Sequence, residues 1–99
     1  MAEDLVSLSE DENTFNVDGN SSVSFFKLSG LVTMHYPILG AIPKEKIFGL
    51  FIDEDELRGS GLYLGWRRGN LTEHTYLGKI DDINSANDFV SRVNRLYKK

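Results

Sequence analysis

Between residues 14 and 80 the apolar positions fall in short alternating runs, and after residue 85 they take up the period of a helix. Residues 14–17 alternate apolar and polar, and Asp18-Gly19-Asn20 follows as a turn. Residues 22–28 (SVSFFKL) and 31–36 (LVTMHY) are rich in β-formers, separated by Ser29-Gly30 and ended by Pro37, with a loop at 40–43. Residues 46–53 (KIFGLFID) are apolar on both faces. Ile47 and Phe51 point one way and Phe48, Leu50 and Ile52 the other, which predicts a central strand covered twice. A charged loop at 53–61 (DEDELRGSG) leads into residues 61–67, with Leu62, Leu64 and Trp66 on one face and Tyr63 on the other. Arg68-Gly69-Asn70 turns the chain and residues 73–80 return, so two adjacent hairpins are expected.

Ala86, Phe89, Val90, Val93, Leu96 and Tyr97 then form one stripe of a C-terminal helix. Ser85 followed by Asp88 fits a capping box. Asp81, Asp82 and Asp88 lie near the helix start and Arg92, Arg95, Lys98 and Lys99 near its end, which suits the dipole. The expected fold class is therefore α+β: an antiparallel meander of five or six strands packed by one C-terminal helix. Such a helix is about 10 Å wide and covers two or three strands spaced by nearly 5 Å. The sheet must then curl into a barrel-like roll or leave a face for another molecule. A meander closed by one helix is similar in layout to pleckstrin-homology-like domains. The likeness carries no residue over, because Phe26-Lys27-Leu28 supplies only a single base in the early hairpin region.

Charge divides the chain unevenly. Residues 1–20 hold six acids, Glu3, Asp4, Glu10, Asp11, Glu12 and Asp18, and no Lys or Arg. The net charge of −4 is thus −6 from this stretch and +2 from the remainder. Residues 1–13 read as an acidic, disordered leader and residues 14–99 as one domain. Within the leader, Leu5, Val6 and Leu8 make an apolar patch flanked by acids, suited to adding as a strand to a partner's sheet edge. The patch resembles the motifs that bind SUMO-type modifiers.

No cysteine is present, so disulfides, thiolate metal sites and cysteine nucleophiles are excluded. No signal-peptide start and no apolar run of membrane length appears, and a cytoplasmic location without membrane contact is expected. His35 and His74 have no partner at metal-ligand spacing, and the contiguous acids Asp53, Glu54, Asp55 and Glu56 lack the spacing of a calcium loop. No nucleophile motif occurs, so no catalytic residue, metal or cofactor is expected.

Trp66-Arg67-Arg68 combines residue types enriched among interface hot spots. The tryptophan is expected to enter the core, while the arginines point out toward a carboxylate or phosphate. The expected function is a non-catalytic protein–protein interaction module, such as an adaptor, inhibitor or assembly factor, whose partner-binding residues are Trp66, Arg67, Arg68, Leu5, Val6 and Leu8. Two alternatives stand beside it. One is single-stranded nucleic-acid binding by sheet aromatics under control of the leader, disfavoured by a body charge of only +2. The other is a homodimer that buries a sheet face against itself.

Overall fold

The computed structural model of the chain describes residues 5–36, 40–57 and 59–98. Glu3 and Asp4 of the leader, Pro37 at the end of the third run, Arg58 of the charged loop and Lys99 at the helix end lie outside these residues. The fold is α+β with two antiparallel sheets. The first is a meander of β1 (Ser7–Glu10), β2 (Thr14–Asp18), β3 (Ser22–Phe26), β4 (Val32–Tyr36) and β5 (Gly40–Ile42), hydrogen-bonded in that order. A 3₁₀ turn at Lys44–Lys46 leads to the second, made of β6 (Ile47–Asp55), β7 (Gly59–Arg68) and β8 (Leu71–Lys79). The helix α1 (Ile83–Asn94) follows, and a last 3₁₀ turn spans Arg95–Tyr97.

One sheet of five or six strands was the expectation, and the described residues form two sheets instead. The break falls at the 3₁₀ turn after β5, since no ladder among the described residues joins β5 to β6, and two further short strands extend the first sheet. Residues 40–43, read as a loop, contain β5, a three-residue strand too short to show a period. The leader, read as disordered, contributes β1, which pairs with β2 from Ser7↔Asp18 to Glu10↔Phe15. The sheet is not closed into a barrel. The residues just before β1 meet the end of β8 through an isolated parallel bridge, Leu5↔Lys79, with the Val6 N–H donating to the Lys79 carbonyl at 2.9 Å. A second seam lies at the β2–β3 turn, where buried Ser21 donates its N–H to the Leu77 carbonyl and its hydroxyl to the Tyr76 carbonyl, both at 3.3 Å.

The leader is ordered by its own acids as much as by its apolar residues. Val6 and Leu8 pack against the core. The Asp11 carboxylate accepts the N–H groups of Asn13 and Thr14, each at 2.8 Å, and builds the β1–β2 turn. Glu10 is bonded by Lys27 at 2.6 Å and by Arg92 of the helix. Charge that reads as a mark of disorder in a linear sequence is paired here, and so stabilises the strand.

A single core fills the space between the layers. Phe15, Val17, Val23, Phe25 and Val32 come from the first sheet, Leu50, Leu62, Leu64 and Leu77 from the second, and Ala86, Phe89 and Val93 from the helix. Phe15 and Phe89 meet edge to face with centroids 5.7 Å apart. Asp82, rather than Ser85, caps the helix: its carboxylate accepts from the N–H groups of Asn84 and Ser85 and from the Ser85 hydroxyl. These bonds, led by the Ser85 N–H, hold Asp82 below its ordinary pKa.

Strand β6 departs from the expected pattern twice. It is an edge strand, bonded to β7 alone, and a bulge after Ile47 resets its alternation. Ile47 and Leu50 therefore face the core, while Phe48 and Phe51 lie together on the outer face. Gly49 sits in this bulge at φ +134°, and a Cβ there would stand 2.5 Å from Asn94 Oδ1. That closeness has a purpose. Asn94 Oδ1 accepts from the Leu50 N–H at 2.8 Å and Asn94 Nδ2 donates to the Leu50 carbonyl at 2.9 Å. The side-chain amide thus stands in for the missing neighbour strand and caps an otherwise open edge.

Candidate functional site: a cleft between the sheets

The helix closes one side of the layered structure, where β1, β2 and the β6 edge meet it. A cleft of about 520 Å³ opens elsewhere, and none of its lining residues comes from β6 or the helix. Its apolar wall is Met34 of β4 and Ile42 of β5, and it faces Trp66 and Arg68 of β7 and Glu73 and Thr75 of β8. That size and mixture suit a ligand or a short stretch of partner chain. Residues from several elements converge here. By contrast, a larger hollow of about 640 Å³ beside Leu28 is built only by residues 12–13 and the turn at 26–29.

Alternation along β7 decides what each residue of the Trp66-Arg67-Arg68 triplet does. Leu62, Leu64, Trp66 and Arg68 share the inner face, and Gly61, Tyr63, Gly65 and Arg67 share the outer one. Trp66 packs against the core from its margin, half-buried, and its indole N–H donates to Thr75 Oγ1 at 2.8 Å. The indole is therefore fixed with part of its surface in the cleft, rather than sunk in the core. Arg68 stands on the same side, exposed, and its side chain makes no hydrogen bond or ion pair among the described residues. Arg67 is separated from both. It points to the opposite face, and its Nε donates to the Gly69 carbonyl at 2.9 Å across the turn.

Leu5, Val6 and Leu8 are not brought to this site. Leu5 forms the bridge to Lys79, while Val6 and Leu8 are built into the core margin, so the apolar patch of the leader adds as a strand within its own chain. The sequence alone missed Met34, Ile42, Glu73 and Thr75 as cleft residues. Glu73 is recoverable from the register, because it lies directly opposite Trp66 and hence on the same face. Met34 and Ile42 carry no local signal, since only the meeting of the two sheets places them against the tryptophan.

The edge of the cleft has a further property. Strand β5 is bonded to β4 alone, and two of its three residues are Gly40 and Ala41. A Cβ on Gly40 would meet nothing within 4 Å. An open strand edge with almost no side chain lets another backbone approach closely.

Electrostatics separates the cleft from the helix side. Glu10 lies below its ordinary pKa because Lys27 and then Arg92 bond its carboxylate, and Asp11 because the Asn13 and Thr14 N–H groups do. Burial raises the Tyr97 hydroxyl, which donates to the Gly30 carbonyl at 3.0 Å. His74 lies edge-on to Phe51 with centroids 5.0 Å apart, and His35 Nε2 is 3.5 Å from Thr33 Oγ1. Among the described residues no group of three or more His, Cys, Asp or Glu is placed to hold a metal ion, and no helix is long and apolar enough to cross a membrane. Compared with known proteins, the chain matches no family model, no curated protein and no solved structure.

Proposed function

We propose that this chain is a non-catalytic protein-interaction module of the cytoplasm that takes an extended segment of a partner protein in the cleft between its sheets. The observation that carries the reading is Arg68, a cation without a partner among the described residues, beside the half-buried Trp66 at the margin of an apolar cleft. A strand laid along the open edge of β5 would gain backbone hydrogen bonds from β5, apolar contact with Met34, Ile42 and the indole, and a charge-assisted bond from Arg68 to a carboxylate. Glu73, on the same wall, selects against a second acid near the tryptophan and favours a basic or neutral residue there. Nothing in this reading requires chemistry on the bound segment.

Trp66 is the chain's single tryptophan, so its emission reports the cleft directly. A random-peptide library displayed on phage, selected against the full chain and counter-selected against Arg68→Glu, is expected to enrich peptides carrying an acidic residue or a free C-terminal carboxylate. As synthetic peptides these should change Trp66 emission saturably and bind Arg68→Glu at least about tenfold more weakly, the weight of one charge-assisted hydrogen bond. Enriched peptides that bind both chains equally, or that leave the emission unchanged, would place the binding surface elsewhere.

A further inference from the structure

The end of the molecule where β5 passes into β6 carries a second surface. The 3₁₀ turn at Lys44–Lys46 makes that connection, and the last 3₁₀ turn, Arg95–Tyr97, packs against β6. Lys44, Phe48, Tyr97 and Lys98 line one hollow of about 340 Å³ there, together with Glu45 and Ile47. The Lys44 side chain lies over Gly30, where a Cβ would fall 2.6 Å from it, and the Tyr97 hydroxyl donates to the Gly30 carbonyl. The β3–β4 turn is thereby held beside the hollow, with Leu28 on it fully exposed. Lys46 precedes Ile47, which lies opposite Trp66, so it stands alongside Arg67 at the end of β7. Arg67 and Phe48 share the outer face of the second sheet, since Phe48 packs over Gly65, and Phe48 is 61% exposed.

The charges at this end do not cancel. Lys44, Lys46, Arg67, Arg95 and Lys98 are exposed, and none makes an ion pair among the described residues. Two acids stand near them, Glu45 in the hollow and Glu12 beside Leu28. Glu10 and Asp11 are engaged elsewhere, with Lys27, Arg92 and the N–H groups of the β1–β2 turn. Five bases against two acids make this end positive in a chain whose net charge is −4. The balancing acids are remote: Asp53, Glu54 and Glu56 close the far end of β6, and Asp81 and Asp82 follow Lys79 at the far end of β8. From Phe48 to Asp53 is five residues of strand, about 16 Å, or about two Debye lengths at physiological salt. A body that touches the near end is screened from the acids of the far one.

We propose that this end docks on the surface of a membrane containing anionic lipids, with Phe48 and Leu28 entering the headgroup layer and the five bases meeting the lipid phosphates and carboxylates around them. Exposed apolar side chains ringed by bases suit an interface that is apolar below and anionic above. Leu28 decides between anionic partners. It has no ring to stack on a base and would stay in water against a nucleic acid, whereas lipid buries it together with Phe48. The lysine stems can lie along the same apolar surface while their ammonium groups stay among the headgroups. A long apolar run is needed to span a bilayer and not to rest on one. Two apolar side chains and five bases make the contact reversible. Arg68 takes no part, because it faces the cleft on the inner side of β7, and the proposal does not rest on what the cleft binds.

The test is co-sedimentation of the full chain with vesicles of equimolar phosphatidylcholine and phosphatidylserine, and with vesicles of phosphatidylcholine alone. The expected result is saturable binding to the mixed vesicles, at least about tenfold weaker on phosphatidylcholine alone. Two double variants divide the contact into its parts. Lys46→Glu with Lys98→Glu should weaken binding to the mixed vesicles at least about tenfold, and so should Phe48→Ser with Leu28→Ser. All four positions are exposed, and an unchanged thermal midpoint for each double variant shows that the fold is intact. Binding to neither vesicle overturns the proposal, and so does equal binding to both. A loss through the charged pair without a loss through the apolar pair reduces the contact to attraction for any polyanion and also overturns it. Binding of oligothymidylate that ignores Phe48→Ser with Leu28→Ser would then assign this end to nucleic acid.

Discussion

The helix side and the cleft side of this molecule are built from the same two sheets and differ in how their polar groups are used. On the helix side three polar clusters are paired: Asn94 serves both backbone groups of Leu50, Glu10 joins Lys27 to Arg92, and Asp82 caps the helix, while Arg92 Nε, buried without a hydrogen bond, lies 3.3 Å from the Asp88 carboxylate. On the cleft side Trp66 is held by one hydrogen bond, while Arg68 and the edge of β5 are left open among the described residues. A closed side with paired groups contributes stability. An open side with an unpaired cation next to fixed apolar surface is where binding free energy can be gained from a partner. Substitutions on the two sides should therefore separate stability from binding.

The largest effect is expected from Phe89→Ala, which empties a ring position between Phe15 and the helix. It should lower the unfolding free energy by about 3–5 kcal/mol, measured as a shift of the urea midpoint at constant slope. In a chain this small that loss approaches the whole stability.

Gly49→Ala comes next. It forces a side chain into φ +134° and against Asn94 Oδ1 at once, and should cost about 1–3 kcal/mol. Asn94→Ala would relieve the clash while losing the cap on Leu50, so the double variant should be less destabilised than the sum of the single ones.

Acid comes third. Glu10, Asp11 and Asp82 are all lowered in the folded chain from ordinary values of 4.5 for Glu10 and 3.8 for the aspartates. Their contribution is present in full above those values and is lost as pH falls through the lowered ones. Thermal midpoints should accordingly stay flat from neutral pH to about 5 and drop below about 4, and Glu10→Gln should flatten part of that drop. A midpoint insensitive to pH across that range would count against the clamp between leader and helix.

The smallest expected effect on stability is Arg68→Glu, within about 0.5 kcal/mol of the natural chain, since the side chain has no partner to lose among the described residues. Its effect on binding should nevertheless be the largest of any of these substitutions.

These two sides were unequally legible in the sequence. The long strands β6, β7 and β8 and the helix have enough residues for their periods to show, and Leu62, Leu64, Phe89 and Val93 are buried as their spacing requires. Three local features broke that reading. The bulge at Phe48-Gly49 shifts every later residue of β6 to the other face, and a pattern read without it puts Ile47 beside Phe51. The leader's strand depends on ion pairs to Lys27 and Arg92, which lie 17 and 82 residues away. Strand β5 is three residues long. The cleft was legible only in its β7 half: the triplet named Trp66 and Arg68, and strand alternation set Arg67 apart from Trp66. Met34 and Ile42 became part of it through packing of one sheet on another, which no window of sequence contains.

On the proposed function the cleft, and not the helix side, receives the partner. The most direct test is an amide chemical-shift map of the full ¹⁵N-labelled chain, titrated with a peptide from the phage selection. Shifts are expected to concentrate at residues 40–42, at 66–68 and at 73–75, together with the Trp66 indole N–H, with little change along α1 or β1. Shifts concentrated instead around Leu8, Ser85 and Arg92 would contradict the claim and move the binding surface to the helix side.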